Sequence, residues 1–422
     1  MKNMLTRSRI LALTALASMP VVVKAEFALD TIKPYDLYLW SGPYERGTWQ
    51  LGGYFDGCFK IRGSTVHHQK VNVLHIWQCA QDALAMVRGF DPDSRIGQLA
   101  ARLHNASDDG TRGHLIPSAC FEMNEGAIGL RYWVNHGVSF GIHLPLFHMK
   151  LSNIAWHDLT KEVTVGDRLT KELLTNNIAK TVYQLDPGLD ISSPWDRRGI
   201  GDLSLIARWQ QDFAQHKRIL TNVQLSVYSG LTLPTGKKVD VDKLFSIPFG
   251  NDGSTAIPFG GELQVQWLNH WIGGIELNFE QIFSHTRCRR IKTDQNQTDL
   301  LLLAKTNASI DWGFYQRHRL SLGGYHLVRG FSFDLGYQYT HQDDSSLNLC
   351  TNKYLECNAN SATSLQQWSL HQIMVHASYD FGYDATQESK IVPSIGFFYH
   401  HTFKGQRAIL VDKAGVSISA IF

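Results

Sequence analysis

Hydrophobic and polar residues alternate with a period of two along most of the chain. From Trp49 to Arg62 one phase reads Trp49, Leu51, Gly53, Phe55, Gly57, Phe59, Ile61, and the other Gln50, Gly52, Tyr54, Asp56, Cys58, Lys60, Arg62. Such alternation marks a strand with one apolar and one polar face. The run is longer than a typical strand of a soluble sheet and meets the roughly ten residues that a tilted strand needs to cross a bilayer. The pattern returns in Val138–Leu146, Val223–Leu233, Leu263–Trp267, Ile275–Phe279, Phe331–Tyr339 and Ile373–Phe381. Strands are expected over 48–62, 116–134, 137–151, 200–210, 219–234, 257–268, 271–284, 298–314, 319–341, 367–382, 391–403 and 414–422. Phase breaks at Asn124-Glu125-Gly126 and Arg329-Gly330 predict bulges within two of them.

The connections alternate in length. Long segments (63–115, 152–199, 235–256, 285–297, 342–366) are separated by short ones (135–136, 211–218, 269–270, 315–318, 383–390). Outer-membrane barrels have short periplasmic turns and long extracellular loops, so the expected fold is an all-β transmembrane antiparallel barrel of about twelve strands with both termini in the periplasm. Two loop stretches, Cys79–His104 with a break at Asp91-Pro92, and Thr160–Tyr183, read as helical. Aromatic residues gather at the short-turn ends: Tyr132 and Trp133, Trp209, Trp267 and Trp271, Trp312 and Phe314, Tyr379 and Phe381. Rings at such positions suit a membrane-interface girdle. The chain ends on Phe422 with Val416, Ile418 and Ala420 in phase, a closing strand similar to a barrel-assembly signal.

Composition agrees with this class. Mean hydropathy is −0.19 with 11% aromatic residues, and no apolar segment after residue 25 is long enough for a spanning helix. A barrel averages to mild polarity because only one face of each strand meets lipid. Lys2, Arg7 and Arg9 precede an apolar run from Ile10 to Val23 and then Val23-Lys24-Ala25, the layout of a cleaved secretory signal. The expected organisation is therefore a signal peptide over 1–25, a periplasmic N-terminal segment over 26–47 and the barrel over 48–422. The net charge is +2, and residues 1–25 hold four cations and no acid, leaving the rest at −2. No basic cluster suited to nucleic-acid phosphates is present.

Little in the sequence points to catalysis. His341 with Asp343 and Asp344 lacks the serine that an outer-membrane phospholipase needs, and resembles only a polar loop beside what an omptin-like protease requires. Neighbouring histidines in the pairs 67–68 and 400–401 face opposite ways on a strand, which disfavours metal binding. No cofactor or metal site is expected. Of six cysteines, Cys350 and Cys357 lie close together in a polar segment, where a disulfide closing a surface loop is expected in an exported chain.

Gly199-Ile200-Gly201-Asp202-Leu203-Ser204-Leu205, followed by Leu231-Thr232-Leu233-Pro234-Thr235-Gly236, resembles the G-x-G-D and LPTG strand segments of outer-membrane barrels identified as transporters of the phenol-degradation meta pathway. That family is similar to outer-membrane importers of hydrophobic compounds, so the resemblance implies transport of apolar or aromatic molecules. It covers only residues 199–236. Physically, Gly201-Asp202 suits the start of a strand with a lumen-facing acid, and Pro234-Thr235-Gly236 a turn that ends the ladder.

Twelve strands about 4.8 Å apart and tilted about 40° give a backbone diameter of about 24 Å and a lumen of about 10 Å or less once side chains fill it. Such a pore passes small solutes. On the expected phases Asp56, Glu122, Asp202, Glu262, Glu276, Glu280, Asp311, Asp334 and Asp380 point inward, against Lys60, Arg62, Arg131, Arg208, Lys305 and Arg329. These charges are expected to pair across the lumen, since an unpaired buried charge is costly. Two functions fit: a channel or transporter for small solutes, or a sealed scaffold whose long loops mediate surface interaction or adhesion. The expected partners are outer-membrane lipid, the barrel-assembly machinery and a small-molecule solute.

Overall fold

The computed structural model describes residues 29–34, 47–103, 110–135, 137–215, 217–268, 270–382 and 391–422. The expectations for residues 1–25 lie outside these. Twelve antiparallel strands form a closed transmembrane barrel: β1 (Trp49–Ser64), β2 (His114–Asn135), β3 (Val138–Asp158), β4 (Leu203–Ala214), β5 (Leu220–Leu233), β6 (Ala256–Trp267), β7 (Trp271–Ile282), β8 (Tyr315–Val328), β9 (Phe331–Gln342), β10 (Trp368–Asp380), β11 (Val392–Gln406) and β12 (Ala408–Ile421). Each pairs with its sequence neighbours, and β1 closes the ring by pairing with both β2 and β12. Closure leaves no unpaired sheet edge, which a lipid environment demands.

Alternation decides which side chains meet lipid. Phe55, Ile128, Phe140, Ile275, Leu320 and Ile418 all project outward from mid-strand and are exposed, part of a continuous apolar band. A monomeric soluble protein rarely displays so much contiguous apolar surface. The opposite phase is buried and polar: Asp56, Arg131, Arg208, Glu262, Glu276, Gln338 and Gln372 lie within the barrel.

Twelve is the expected strand number, but two of the strands differ. Residues 298–314 were expected to cross; instead His285–Ile291, Ala304–Asp311 and Ser346–Leu349 form a separate three-stranded sheet among the loops. The stretch 319–341, expected as one strand with a bulge, is a hairpin of β8 and β9, with Val328 paired to Phe331 across Arg329-Gly330. Both turn residues have positive φ, 41° and 88°, as a two-residue type I′ turn requires. The expected turn at 315–318 is strand, and the bulge expected at Asn124-Glu125-Gly126 is regular ladder, pairing with His148, Phe147 and Leu146.

The five long connections fold inward over one end of the barrel. Helices Ala83–Met86 and Arg95–Leu103 flank the Asp91-Pro92 break, and Val165–Thr170 with Ile178–Leu185 occupy the second helical stretch. Thr164 and Asp167 form a reciprocal capping box at the first turn of Val165–Thr170. Leu74, Leu84, Leu103, Leu174 and Val182 from these segments pack on Met123, Met149 and Leu151 of β2 and β3, so the largest apolar core lies in the barrel mouth.

The aromatic positions divide. Trp209, Trp271, Tyr379 and Phe381 are exposed near the short turns, while Tyr132 lies against Trp49 with ring centroids 4.5 Å apart. Trp133 is instead fully buried with the Arg131 guanidinium 5.5 Å from its ring. Trp312 is buried among the loops, donating to Ser254 Oγ at 2.6 Å, and Phe314 stacks on Phe279 at the same end. These last three do not belong to a short-turn girdle.

Candidate functional site

The lumen has three levels. At its middle runs Leu29–Pro34, a segment expected in the periplasm and found inside the barrel. Leu29 joins the apolar core of the mouth, and Ile32 packs with Tyr54, Ala127 and Phe398 of the wall. Asp30 accepts hydrogen bonds from Tyr315 Oη at 2.9 Å and Gln338 Nε2 at 3.1 Å, with Arg317 at 3.9 Å. Lys413 Nζ donates to the Asp30 carbonyl at 3.1 Å and to Glu125 Oε2 at 2.6 Å. Lys33 Nζ reaches Glu280 Oε2 at 2.8 Å and stands 4.8 Å from the centre of the Tyr315 ring. Among the described residues, two gaps of about 20 Å³ lie between the segment and the wall. Since one water needs about 10–15 Å³, neither gap passes a solute.

On the loop side a cavity of about 150 Å³ lies between Trp77, Leu189, Phe245, Leu300 and Leu365. On the turn side a wider cup of about 210 Å³ is lined by Arg319, His326, Asp334, His376 and Asp380 with several serines. There Arg319 pairs with Asp334, and His326 Nε2 lies 3.5 Å from Asp380.

The two halves of the 199–236 motif meet at the central level. Thr235 Oγ1 donates to the Gly201 carbonyl at 2.8 Å and accepts from the Leu203 amide at 2.9 Å. Asp202 accepts from the Gly236 amide at 2.8 Å and the Asn251 amide at 2.6 Å. A Cβ at Gly201 would come within 2.7 Å of Pro145, Phe147 and the Phe249 carbonyl, so the close approach requires glycine. Asn251 Nδ2 then donates to Glu280 Oε1 at 2.8 Å, linking the motif to the acid that holds Lys33.

The structure separates the charged residues singled out from sequence. Asp56, Arg131, Asp202, Arg208, Glu262, Glu276 and Glu280 are buried within the barrel, and Arg208 lies 4.0 Å from Glu262. Asp334 and Asp380 line the turn-side cup. Glu122 does not point inward: without the expected bulge its phase faces outward, its side chain is 60% exposed, and it pairs with Lys150 at 3.4 Å. Lys60 and Arg62 are also exposed, because a bulge between Phe59 and Arg62, with Lys60 at φ 51°, shifts the phase of β1. Asp311 is exposed at the end of a loop strand, Lys305 pairs with Asp242 among the loops at 2.8 Å, and Arg329 is exposed in its turn. Cys350 and Cys357 are separate exposed thiols rather than a disulfide.

Sequence reasoning missed Asp30, Lys33, Glu125, Arg317, Arg319 and Lys413. An inward charge on one strand signals a counter-charge nearby, but only the true register shows which. His341 Nε2 lies 2.8 Å from Asp343 at the top of β9. Among the described residues no group of three or more His, Cys, Asp or Glu side chains is placed to hold a metal ion.

No family model matches the chain, and no curated protein matches its sequence. Among solved structures it is similar to an outer membrane channel from Pseudomonas putida F1, with a TM-score of 0.50 over 93% of this chain and 100% of that one, at 11% identity. The likeness is one of fold. A FadL homologue from Pseudomonas aeruginosa matches with a TM-score of 0.30 and 6% identity over 89% of this chain and 90% of that one. The Pseudomonas putida toluene transporter TodX matches with a TM-score of 0.26 and 9% identity over 94% and 95%.

Proposed function

We propose that this protein is a bacterial outer-membrane channel for small apolar solutes, closed at rest by Leu29–Pro34. The short turns face the periplasm and the long loops face outward, as in other outer-membrane barrels. The reading is supported by the six residues of chain that lie within the lumen, tied to the wall through Asp30 and Lys33, with a cavity on each side. A wall filled by interdigitated strand side chains would have no movable part. This stopper can leave without breaking any strand pairing. Solute collected among the loops then passes the central charged belt when the segment moves, and leaves through the polar cup.

The outward apolar band would contact lipid, and Phe422, paired with Trp49 through mutual backbone hydrogen bonds of 2.8 and 2.9 Å, closes the strand that assembly would recognise. No step here involves covalent chemistry. The test is uptake of a radiolabelled single-ring hydrocarbon by intact Gram-negative cells with and without the protein. Faster uptake is expected with it, and identical rates would refute the reading.

A second reading, surface interaction, has one observation in its favour: Val163 and Val165 project from the loop after β3 with 78% and 76% of their surface exposed. Loss of cell-to-cell binding in a Val163→Ser, Val165→Ser variant with unchanged uptake would support it.

A further inference from the structure

The loop-side cavity carries a polar feature that transport of hydrocarbon alone does not use. Besides its apolar lining, five cations border it: Lys243, Arg287, Arg289, Arg290 and Lys292. Four of them are engaged by carboxylates. Arg287 and Arg289 share Asp252, Arg290 bridges Asp186 and Asp242 at 2.6 Å each, and Lys243 meets Asp190 at 3.0 Å.

Lys292 differs. It is 3% exposed, and its ammonium makes one hydrogen bond, 3.3 Å to the Ser361 carbonyl. Among the described residues no carboxylate lies within ion-pair distance of it. Asp299, also in the cavity wall, is already taken: it accepts from Gln78 Nε2 at 2.5 Å, Ser364 Oγ at 2.9 Å, and the amides of Thr363 and Ser364 at 3.2 and 3.3 Å. An ammonium has three donors, and burying it without an anion is costly. An acceptor arriving in the cavity would relieve that cost.

Size narrows the class. An engineered apolar cavity of about 150 Å³ holds one benzene ring, and this cavity has the same volume of about 150 Å³. Trp77 and Phe245, with ring centroids 5.5 Å apart, add aromatic surface to a lining that also includes several leucines.

We propose that this cavity is a binding site for a single-ring aromatic carboxylate, its ring among Trp77, Phe245 and Leu300 and its carboxylate on Lys292. The site deepens the channel reading, on which it rests for its role in uptake, by naming the solute class that the loops select. A carboxylate gains a charge-assisted hydrogen bond there that a hydrocarbon of the same shape does not.

Fluorine NMR titration of the purified full-length protein in a neutral detergent tests this with two probes, para-fluorobenzoate and fluorobenzene. The native protein should bind the carboxylate more tightly. Lys292→Met should weaken para-fluorobenzoate by about tenfold, the size of one lost charge-assisted hydrogen bond, and leave fluorobenzene unchanged. Lys292→Arg should retain carboxylate binding. Leu347→Trp, which fills the cavity with Lys292 intact, should abolish binding of both probes and keeps the test decisive if Lys292→Met fails to fold. Equal carboxylate affinity in the native and Lys292→Met proteins, or undiminished binding by Leu347→Trp, would overturn the site. So would a native protein that ignores para-fluorobenzoate yet speeds hydrocarbon uptake by cells, an outcome that leaves the channel reading standing. Carboxylate binding lost in Lys292→Met, in a protein that transports nothing, would support the site and refute the channel.

Discussion

Lys33 Nζ lies 2.8 Å from Glu280 Oε2 inside the barrel, and this contact joins the Leu29–Pro34 segment to the wall. Glu280 is itself held by Asn251, whose backbone amide is bound by Asp202 of the glycine motif. The motif thus does more than end a strand. It anchors the loop after β5 and, through that loop, the acid on which the central segment rests.

Weakening that anchor should free the stopper and leave the barrel intact. Glu280→Gln keeps a hydrogen-bonding shape toward Asn251 and removes the charge opposite Lys33. Amide hydrogen exchange in residues 29–34 is expected to rise, with strand protection unchanged. Unchanged exchange in the segment would show that Lys33–Glu280 does not hold it.

A different buried pair should govern stability. Lys413 on β12 and Glu125 on β2 meet at 2.6 Å across the seam where β1 closes the barrel, with Asp56 of β1 accepting from the Glu125 amide at 3.2 Å. Removing one member strands a buried charge, so Lys413→Met should destabilise by about 3–5 kcal/mol. Lys413→Met with Glu125→Gln should recover much of the loss. Equilibrium refolding into lipid vesicles measures both, and equal losses would rule out coupling.

The outward phase makes a lipid-specific prediction. Ile275 on β7 is 49% exposed on the apolar band, while Gln264 on β6 faces the turn-side cup. Ile275→Arg should cost about 2–4 kcal/mol in vesicles, as expected for a cation near the bilayer midplane. Gln264→Arg should cost far less, because polar groups surround it. The reverse order in the same refolding assay would place the membrane wrongly.

The loops over the mouth should respond to acid. Burial opposes ionisation of Asp242, but hydrogen bonds from Lys305 and Arg290 outweigh it and hold this carboxyl below its usual range. A carboxyl with a lowered folded pKa stabilises fully above its unfolded value of about 3.9 and loses that contribution as pH falls through the folded value. The loop after β5 should therefore stay clamped from neutral pH down to about 4 and loosen below it. Asp242→Asn should loosen it already at neutral pH. Limited proteolysis of 235–256 reads both, and loosening between pH 5 and 7 in the native protein would point to another group.

The fold was legible where strands alternate against lipid, since each outward residue must be apolar and each inward one polar. It was not legible where other surroundings imitate that rule. Ala304–Asp311 alternates because it is half-buried among loops, which reads the same as half-exposed to lipid. Arg329-Gly330 hides a hairpin because arginine seldom takes the positive φ that the turn imposes. Residues 315–318 look like a turn in their polarity, yet Tyr315 and Arg317 are buried and both reach Asp30. Lys413 fell just before the expected last strand, since Ala408–Val411 is apolar without alternation and buried throughout. Leu29–Pro34 has no periodicity to read. Its place depends on charges that lie hundreds of residues away, such as Glu280 and Lys413.

The account turns on whether Leu29–Pro34 must move for solute to pass. Ile32 and Ala127 share one buried cluster, so Ile32→Cys with Ala127→Cys, joined by oxidation or a short thiol linker, would tie the segment to the wall. The five exposed native cysteines would be replaced by serine. The decisive measurement is uptake of a single-ring solute by cells carrying this protein, linked and unlinked. The account predicts that uptake stops in the linked form and returns on release. Equal uptake in both states would contradict it.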